Sequence, residues 1–251
     1  NLKNKKVFLT RPYKVVYRDG DRIIKVFTKE HGKANVFNEA LCQARVEESG
    51  LDIPEVLEVS RIDGEWALAI QFVEGETLAE IMEKDPENLE KYMEQFVDLQ
   101  LSMHEKKAPR LTLQKDKFAR KIASLKDTVN ATIRYELCTR LDAMPAHKKL
   151  CHGDFNPTNV IVREDGTMTI VDWAHATQGN ASGDAAITYL EFALKDQKTA
   201  DLYLDIFCRK SDTAKQYVQK WLPIAAAVQL TKGVLEEREF LMGWIDIIDF
   251  Q

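Results

Sequence analysis

Short apolar runs broken by Asp-Gly pairs fill the first third of the chain and predict antiparallel hairpins. Val15-Val16-Tyr17-Arg18 and Arg22-Ile23-Ile24-Lys25-Val26-Phe27 flank Asp19-Gly20-Asp21. Val56 to Ser60 and Trp66 to Val73 flank Asp63-Gly64 in the same way. Asp-Gly supplies the positive-φ residues that a tight hairpin turn needs. Between these hairpins, from Lys33 to Ser49, the period lengthens to that of a helix, with Phe37, Leu41 and Ala44 on one stripe and Gly50 as a stop signal. A further hairpin is expected where Asn159-Val160-Ile161-Val162 and Met168-Thr169-Ile170-Val171 are joined through Asp165-Gly166.

The rest of the chain reads as helix. Thr77 to Met82 begins it, and Leu89, Met93, Phe96 and Met103 continue at helical spacing after Asp85-Pro86. That stripe reads as core, and His104 at its end reads as structural. Phe118, Ile122 and Leu125 mark the buried face of a charged segment between Leu111 and Arg140. Trp221 to Val228, then Phe240, Trp244 and Ile247 or Ile248, predict closing helices.

Against this pattern, His152-Gly153-Asp154-Phe155-Asn156-Pro157-Thr158-Asn159, followed by Ile170-Val171-Asp172-Trp173, stands out as chemistry. Phosphoryl transfer needs an oriented acceptor hydroxyl and a cation to neutralise the nucleotide phosphates. Asp154 can accept the hydroxyl's hydrogen bond, while Asn159 and Asp172 offer Mg2+ an amide oxygen and a carboxylate, both hard ligands. The predicted hairpin carries these two ligands at one edge. As a purely local arrangement, the same residues would cap a loop and bound two strands.

The sequence His-Gly-Asp-Phe-x-Pro-x-Asn with the downstream Val-Asp-Trp resembles the aminoglycoside phosphotransferase and choline kinase superfamily. The resemblance implies an α+β, bilobal protein-kinase-like fold. In it, a small antiparallel-sheet lobe with one helix (1–73) binds nucleotide, and a larger, mainly helical lobe (74–251) carries catalysis and the acceptor. It implies Asp154 as catalytic aspartate, Asn159 and Asp172 as magnesium ligands, and His152 as a brace of the catalytic loop. It further implies ATP or GTP as co-substrate and a small molecule, aminoglycoside-like, choline-like or a sugar, as hydroxyl acceptor. Lys25 is the expected phosphate-binding lysine and Glu39 its partner, with Glu47 and Glu48 as rivals in the last helical turn. The segment into Glu74-Gly75 resembles the family's hinge and points to main-chain groups of Gln71 and Val73 for adenine. Asp184 resembles an aspartate that opens a helix and orients the catalytic loop.

Several readings stay open at this level. The turn Thr10-Arg11-Pro12-Tyr13-Lys14 has no glycine where protein kinases have a Gly-rich loop, so Arg11 and Lys14 are either phosphate contacts or a solvated turn. That turn also supports a second function, a nucleotide-binding regulatory pseudokinase without turnover. A protein kinase is disfavoured, because Asp172-Trp173-Ala174 stands in place of Asp-Phe-Gly. Trp173 and His175 are candidates for the acceptor face, with core burial equally open for Trp173. Glu236, Glu237, Glu239, Asp246 and Asp249 form either an acidic wall for a polyamine-like acceptor or a solvated face.

Composition adds bounds. At 251 residues, 45% hydrophobic and 30% charged, the chain has the make-up of an ordinary globular protein. A net charge of -5 leaves no footprint for nucleic acid. No apolar run spans a bilayer and no signal-peptide core is seen, so a cytoplasmic location without membrane contact is expected. Four scattered cysteines suggest neither a metal cluster nor a disulfide framework.

Overall fold

In the structure, a computed structural model that describes residues 6–246, alternation of side chains along five antiparallel strands decides what each face buries. The strands are β1 (Lys6–Arg11), β2 (Lys14–Asp19), β3 (Arg22–Phe27), β4 (Val56–Ile62) and β5 (Glu65–Gln71). They form one antiparallel sheet in the order β1-β2-β3-β5-β4. Asp63 and Gly64 both have positive φ at the β4–β5 turn, as a two-residue hairpin loop requires. Residues Ile24, Ala67 and Ala69 pack on one face of the sheet with Val26 and Ile62. On the other face Phe27, Leu68 and Ile70 pack against Val36 and Ala40 of helix α1 (Lys33–Glu47). Lys25 is two residues from Phe27 and so shares the helix-covered face.

The buried stripe of α1 differs from the sequence expectation. Phe37 and Leu41 are exposed, Phe37 lying edge-on to Trp66, whereas Val36, Glu39, Ala40, Gln43 and Val46 face the sheet. The polar members of that stripe are satisfied there: Gln43 Nε2 donates to Pro54 O at 2.7 Å, and Glu39 meets Lys25. A periodicity built on apolar residues alone therefore chose the wrong face.

The chain separates into two compact units. One runs to Glu83 and also takes in Pro157–Ala176; the other comprises Lys84–Asn156 and the chain from Thr177 onward. The first unit thus reaches ten residues past the expected boundary at 73. It also gains a distant segment because the short strand β6 (Glu76–Thr77) pairs antiparallel with Val160–Val162, which in turn pairs with Met168–Ile170.

The second unit is mainly helical. Its core is built from Ala181–Ala193, in which most residues are buried, and from Leu222–Leu230, buried throughout. Phe96 stacks on Phe155 at 4.3 Å and meets Phe192 and Tyr203 edge-on. The Leu111 to Arg140 segment is two helices, Gln114–Ser124 and Ala131–Ala143, because the Asn130 side chain accepts from Ile133 N and starts the second one. No helix among the described residues is long and apolar enough to cross a membrane.

Gly75 lies where β6 meets Val160–Val162: its φ is +155°, and a Cβ there would collide with the Val162 carbonyl. Gly75→Ala should therefore destabilise the protein by about 1–3 kcal/mol, read as a lower midpoint in thermal or urea melts. Gly20→Ala, at a turn with open space around the Cβ, serves as the milder control.

Candidate active site

Strand β3 and helix α1 bring a lysine and a glutamate into a space that water barely reaches. Lys25 is 5% exposed, and its Nζ donates to Glu39 Oε1 at 2.7 Å and to Asp172 Oδ1 at 2.8 Å. Burial alone would lower the ammonium's pKa, but the carboxylates of Asp172 and Glu39 outweigh it and hold Lys25 charged well above its ordinary value. Glu47, one of the rival partners, instead accepts from Val56 N at 2.6 Å.

Asp172 differs from the other two members in being 46% exposed along its side chain. It also carries φ +61°, a left-handed conformation that Asp tolerates better than most residues. Val171 N donates to Asn159 O at 2.9 Å, so Asn159 and Asp172 are held at neighbouring ends of the Val160–Val162 and Met168–Ile170 hairpin. The donor types that these positions carry, an amide oxygen and a half-exposed carboxylate, suit a small hard cation such as Mg2+. These two residues are the ones that would hold it.

Elsewhere in this unit, Gln71 N donates to Glu55 O at 2.9 Å and is committed to the sheet. The Val73 main chain makes no backbone hydrogen bond among the described residues. The turn between β1 and β2 is a tight hairpin in which Arg11 pairs with Lys14. Burial first, and the nearby Lys25 second, push the Lys14 ammonium down, with Asp172 and Glu39 opposing. Lys14 is thus a second cation in the electrostatic field of the Lys25 cluster. Trp173 is fully buried and its Nε1 donates to Ile170 O at 3.0 Å, which makes it core instead of an acceptor platform. His175 is half-buried.

In the second unit, the loop carrying Asp154 is held by a buried carboxylate. Asp184 accepts from Gly153 N at 2.8 Å, from His152 N at 3.2 Å and from His104 Nε2 at 2.8 Å. Burial would raise its carboxyl, but the His104 hydrogen bond and charge and the Gly153 amide bring it below the ordinary carboxylate value. His152 Nδ1 accepts from Asp154 N at 3.1 Å, and Thr188 Oγ1 donates to Phe155 O at 2.7 Å. Loop residues 152–155 are thereby tied at each step.

Sequence reasoning missed what faces Asp154. Lys232 Nζ lies 3.1 Å from Asp154 Oδ1 and 3.7 Å from Glu191 Oε1. Burial would lower this ammonium, yet Asp154 and Glu191 together hold it above its usual value. Lys121 is near enough to feel both Lys232 and Asp154. Separated by 78 positions, Asp154 and Lys232 share no local signal. Of the acidic residues near the C-terminus, Glu236, Glu239 and Asp246 are exposed and Glu237 is half-buried, while Asp249 lies outside the described residues.

Replacing Lys25 by Met should cost about 3–5 kcal/mol, since Glu39 would be left buried without its cation, with the half-exposed Asp172 drawing the value toward the lower end. The folded-state ammonium titrates above its unfolded value, so the pairing contributes fully below that value and is lost as pH rises through the folded one. The stability gap between wild type and Lys25→Met should be flat between roughly pH 6 and 9 and narrow only in stronger alkali. Denaturant melts across pH would read it.

Several solved structures share this architecture. An aminoglycoside phosphotransferase, APH(4)-Ia, in ternary complex with AMP-PNP and hygromycin B aligns with a TM-score of 0.72 at 15% identity, over 99% of this chain and 94% of that one. A choline/ethanolamine kinase family protein from Mesorhizobium loti aligns at 0.62 and 17% identity, over 97% and 84%. The choline kinase LicA from Streptococcus pneumoniae aligns at 0.63 and 18%, over 93% and 84%. These likenesses establish an α+β, protein-kinase-like fold. No curated protein matches the chain significantly. A family model described as "Phosphotransferase enzyme family" matches residues 6–215, and with that match over most of its length the chain belongs to the phosphotransferase enzyme family.

Proposed function

We propose that the protein is a nucleotide-dependent kinase that transfers the γ-phosphate of ATP or GTP to a hydroxyl of a small molecule. The observation that carries this reading is the Lys25 ammonium, buried and charged between Glu39 and the half-exposed Asp172. A lysine kept cationic beside a carboxylate that reaches solvent is suited to an inner phosphate of a nucleotide. Complexes of the aligned relatives with AMP-PNP and with AMP agree with a nucleotide co-substrate.

In this reading each residue has a defined task. Lys25, fixed by Glu39, binds the nucleotide's phosphates, and Lys14 adds charge where a Gly-rich loop would otherwise contribute amides. The Val73 main chain, with Gln71 beside it, meets the adenine edge. Asn159 and Asp172 hold Mg2+, which supplies charge neutralisation at the phosphates. Asp154 accepts a hydrogen bond from the acceptor hydroxyl, orients it and draws its proton as the phosphoryl group arrives. His152 and Asp184 keep Asp154 in position by fixing the loop backbone. The acceptor class named by the relatives, hygromycin B in one and choline or ethanolamine in others, is a starting panel.

Mg2+-dependent consumption of ATP and GTP with and without acceptors provides the test. Asp154→Ala should lower turnover by about 10²–10⁴-fold while nucleotide binding persists, and Asp172→Ala should weaken Mg2+-dependent nucleotide binding itself. Full activity in Asp154→Ala, or no nucleotide binding by the native protein, would remove the basis of the proposal.

A further inference from the structure

A lysine ammonium stands directly against Asp154. Lys232 Nζ is 3.1 Å from its Oδ1, with the lysine side chain 30% and the aspartate side chain 25% exposed, so both remain within reach of solvent. The Lys232 ammonium also faces Glu191 Oε1 at 3.7 Å. The place that a cationic acceptor's amine would take between these two carboxylates is thus already filled by the chain's own ammonium.

Lys121 makes the cluster more cationic. Its Nζ contacts Thr231 Oγ1 at 3.5 Å, and it has no carboxylate partner among the described residues. Burial, and Lys232 after it, push this ammonium down, with only Asp154 opposing. A partly desolvated cation without a counter-charge is stabilised by an incoming anion.

Glu191 is the second acidic group that Lys232 faces. Its Oε1 accepts from Gln229 Nε2 at 3.0 Å, while its buried Oε2 has no donor. Burial and the Asp154 carboxylate push the Glu191 carboxyl well up, which weakens it as a counter-charge to Lys232. Lys232 meets Asp154 at the shorter distance and Glu191 at the longer one, with Glu237 the further acidic group in range, while Lys121 meets no carboxylate among the described residues.

We propose that Lys232 and Lys121 form an anion-recognition site beside Asp154, and that the acceptor is a small alcohol bearing a carboxylate or phosphate group. In this arrangement the anionic group draws Lys232 and Lys121 to itself, and Asp154 takes the hydroxyl. The proposal rests on the kinase reading for the hydroxyl's fate, but the anion site itself does not depend on it.

The test uses the full chain with Mg-ATP and three sets of acceptors: hydroxy acids (D-glycerate, L-malate), alcohol phosphates (glycerol 3-phosphate, fructose 6-phosphate) and cations (choline, ethanolamine, hygromycin B). Turnover is expected in one anionic set, which distinguishes carboxylate from phosphate. Lys232→Gln should raise KM for that acceptor by about tenfold or more while KM for ATP holds. Lys232→Arg should recover much of the loss, and Lys121→Gln should give a smaller effect of the same kind. Calorimetric titration of the same anions in the presence of Mg-AMP-PNP covers acceptors that bind without turnover. Turnover confined to the cations, an unchanged KM in folded Lys232→Gln, or a whole anionic panel that neither reacts nor binds would overturn the proposal. Lys232-dependent anion binding in a chain that fails to bind nucleotide would instead uphold the anion site and sink the kinase reading.

Discussion

A lysine ammonium without access to water must be answered by carboxylates, and the first unit is organised around that requirement. Lys25 is carried to the covered face of the sheet by strand alternation, with Phe27 beside it. Once there it cannot be left unpaired, since desolvation of a lone ammonium costs far more than the surrounding packing returns. Glu39 answers it from α1 and Asp172 from the end of a strand far along the sequence. The face that α1 turns to the sheet and the anchoring of the hairpin after Pro157 both serve this one charge.

The second unit solves the opposite problem with a buried carboxylate. Asp184 opens the helix Ala181–Ala193, yet its oxygens are directed at His104 and at the amides of His152 and Gly153. A charged acceptor shared among three donors is stronger and more directional than a neutral contact. Aromatic stacking of Phe155 on Phe96 fixes the next residue along. Asp154 therefore projects from a backbone whose freedom has been removed on both sides.

Much of this architecture is written in local sequence. Asp-Gly turns mark the hairpins because their φ requirement is met by few residues, and Lys25, Glu39, Asp154, Asn159 and Asp172 stand out by residue type at particular offsets. What escapes a reading of the sequence is set by partners distant along the chain. Glu39 and Gln43 are polar residues buried by a lysine and a carbonyl outside their helix, so the apolar pattern pointed to Phe37 and Leu41. The boundary of the first unit shifts because β6 pairs with a strand more than eighty residues on. Lys232 and Glu191 reach Asp154 only through tertiary packing, and no spacing rule connects them.

The backbone at Asp172 constrains what this chain can become. A left-handed φ there is comfortable for Gly, Asn or Asp and strained by roughly 1–2 kcal/mol for most other residues. Gly and Asn would keep the backbone but remove a negative charge from Lys25. A lineage that discarded its chemistry would therefore not shed Asp172 by drift alone; it would have to neutralise Lys25 in the same step or accept a weakened fold. The fold and the proposed metal-binding role draw on one carboxylate, so its persistence among descendants would not by itself distinguish a working enzyme from a retired one.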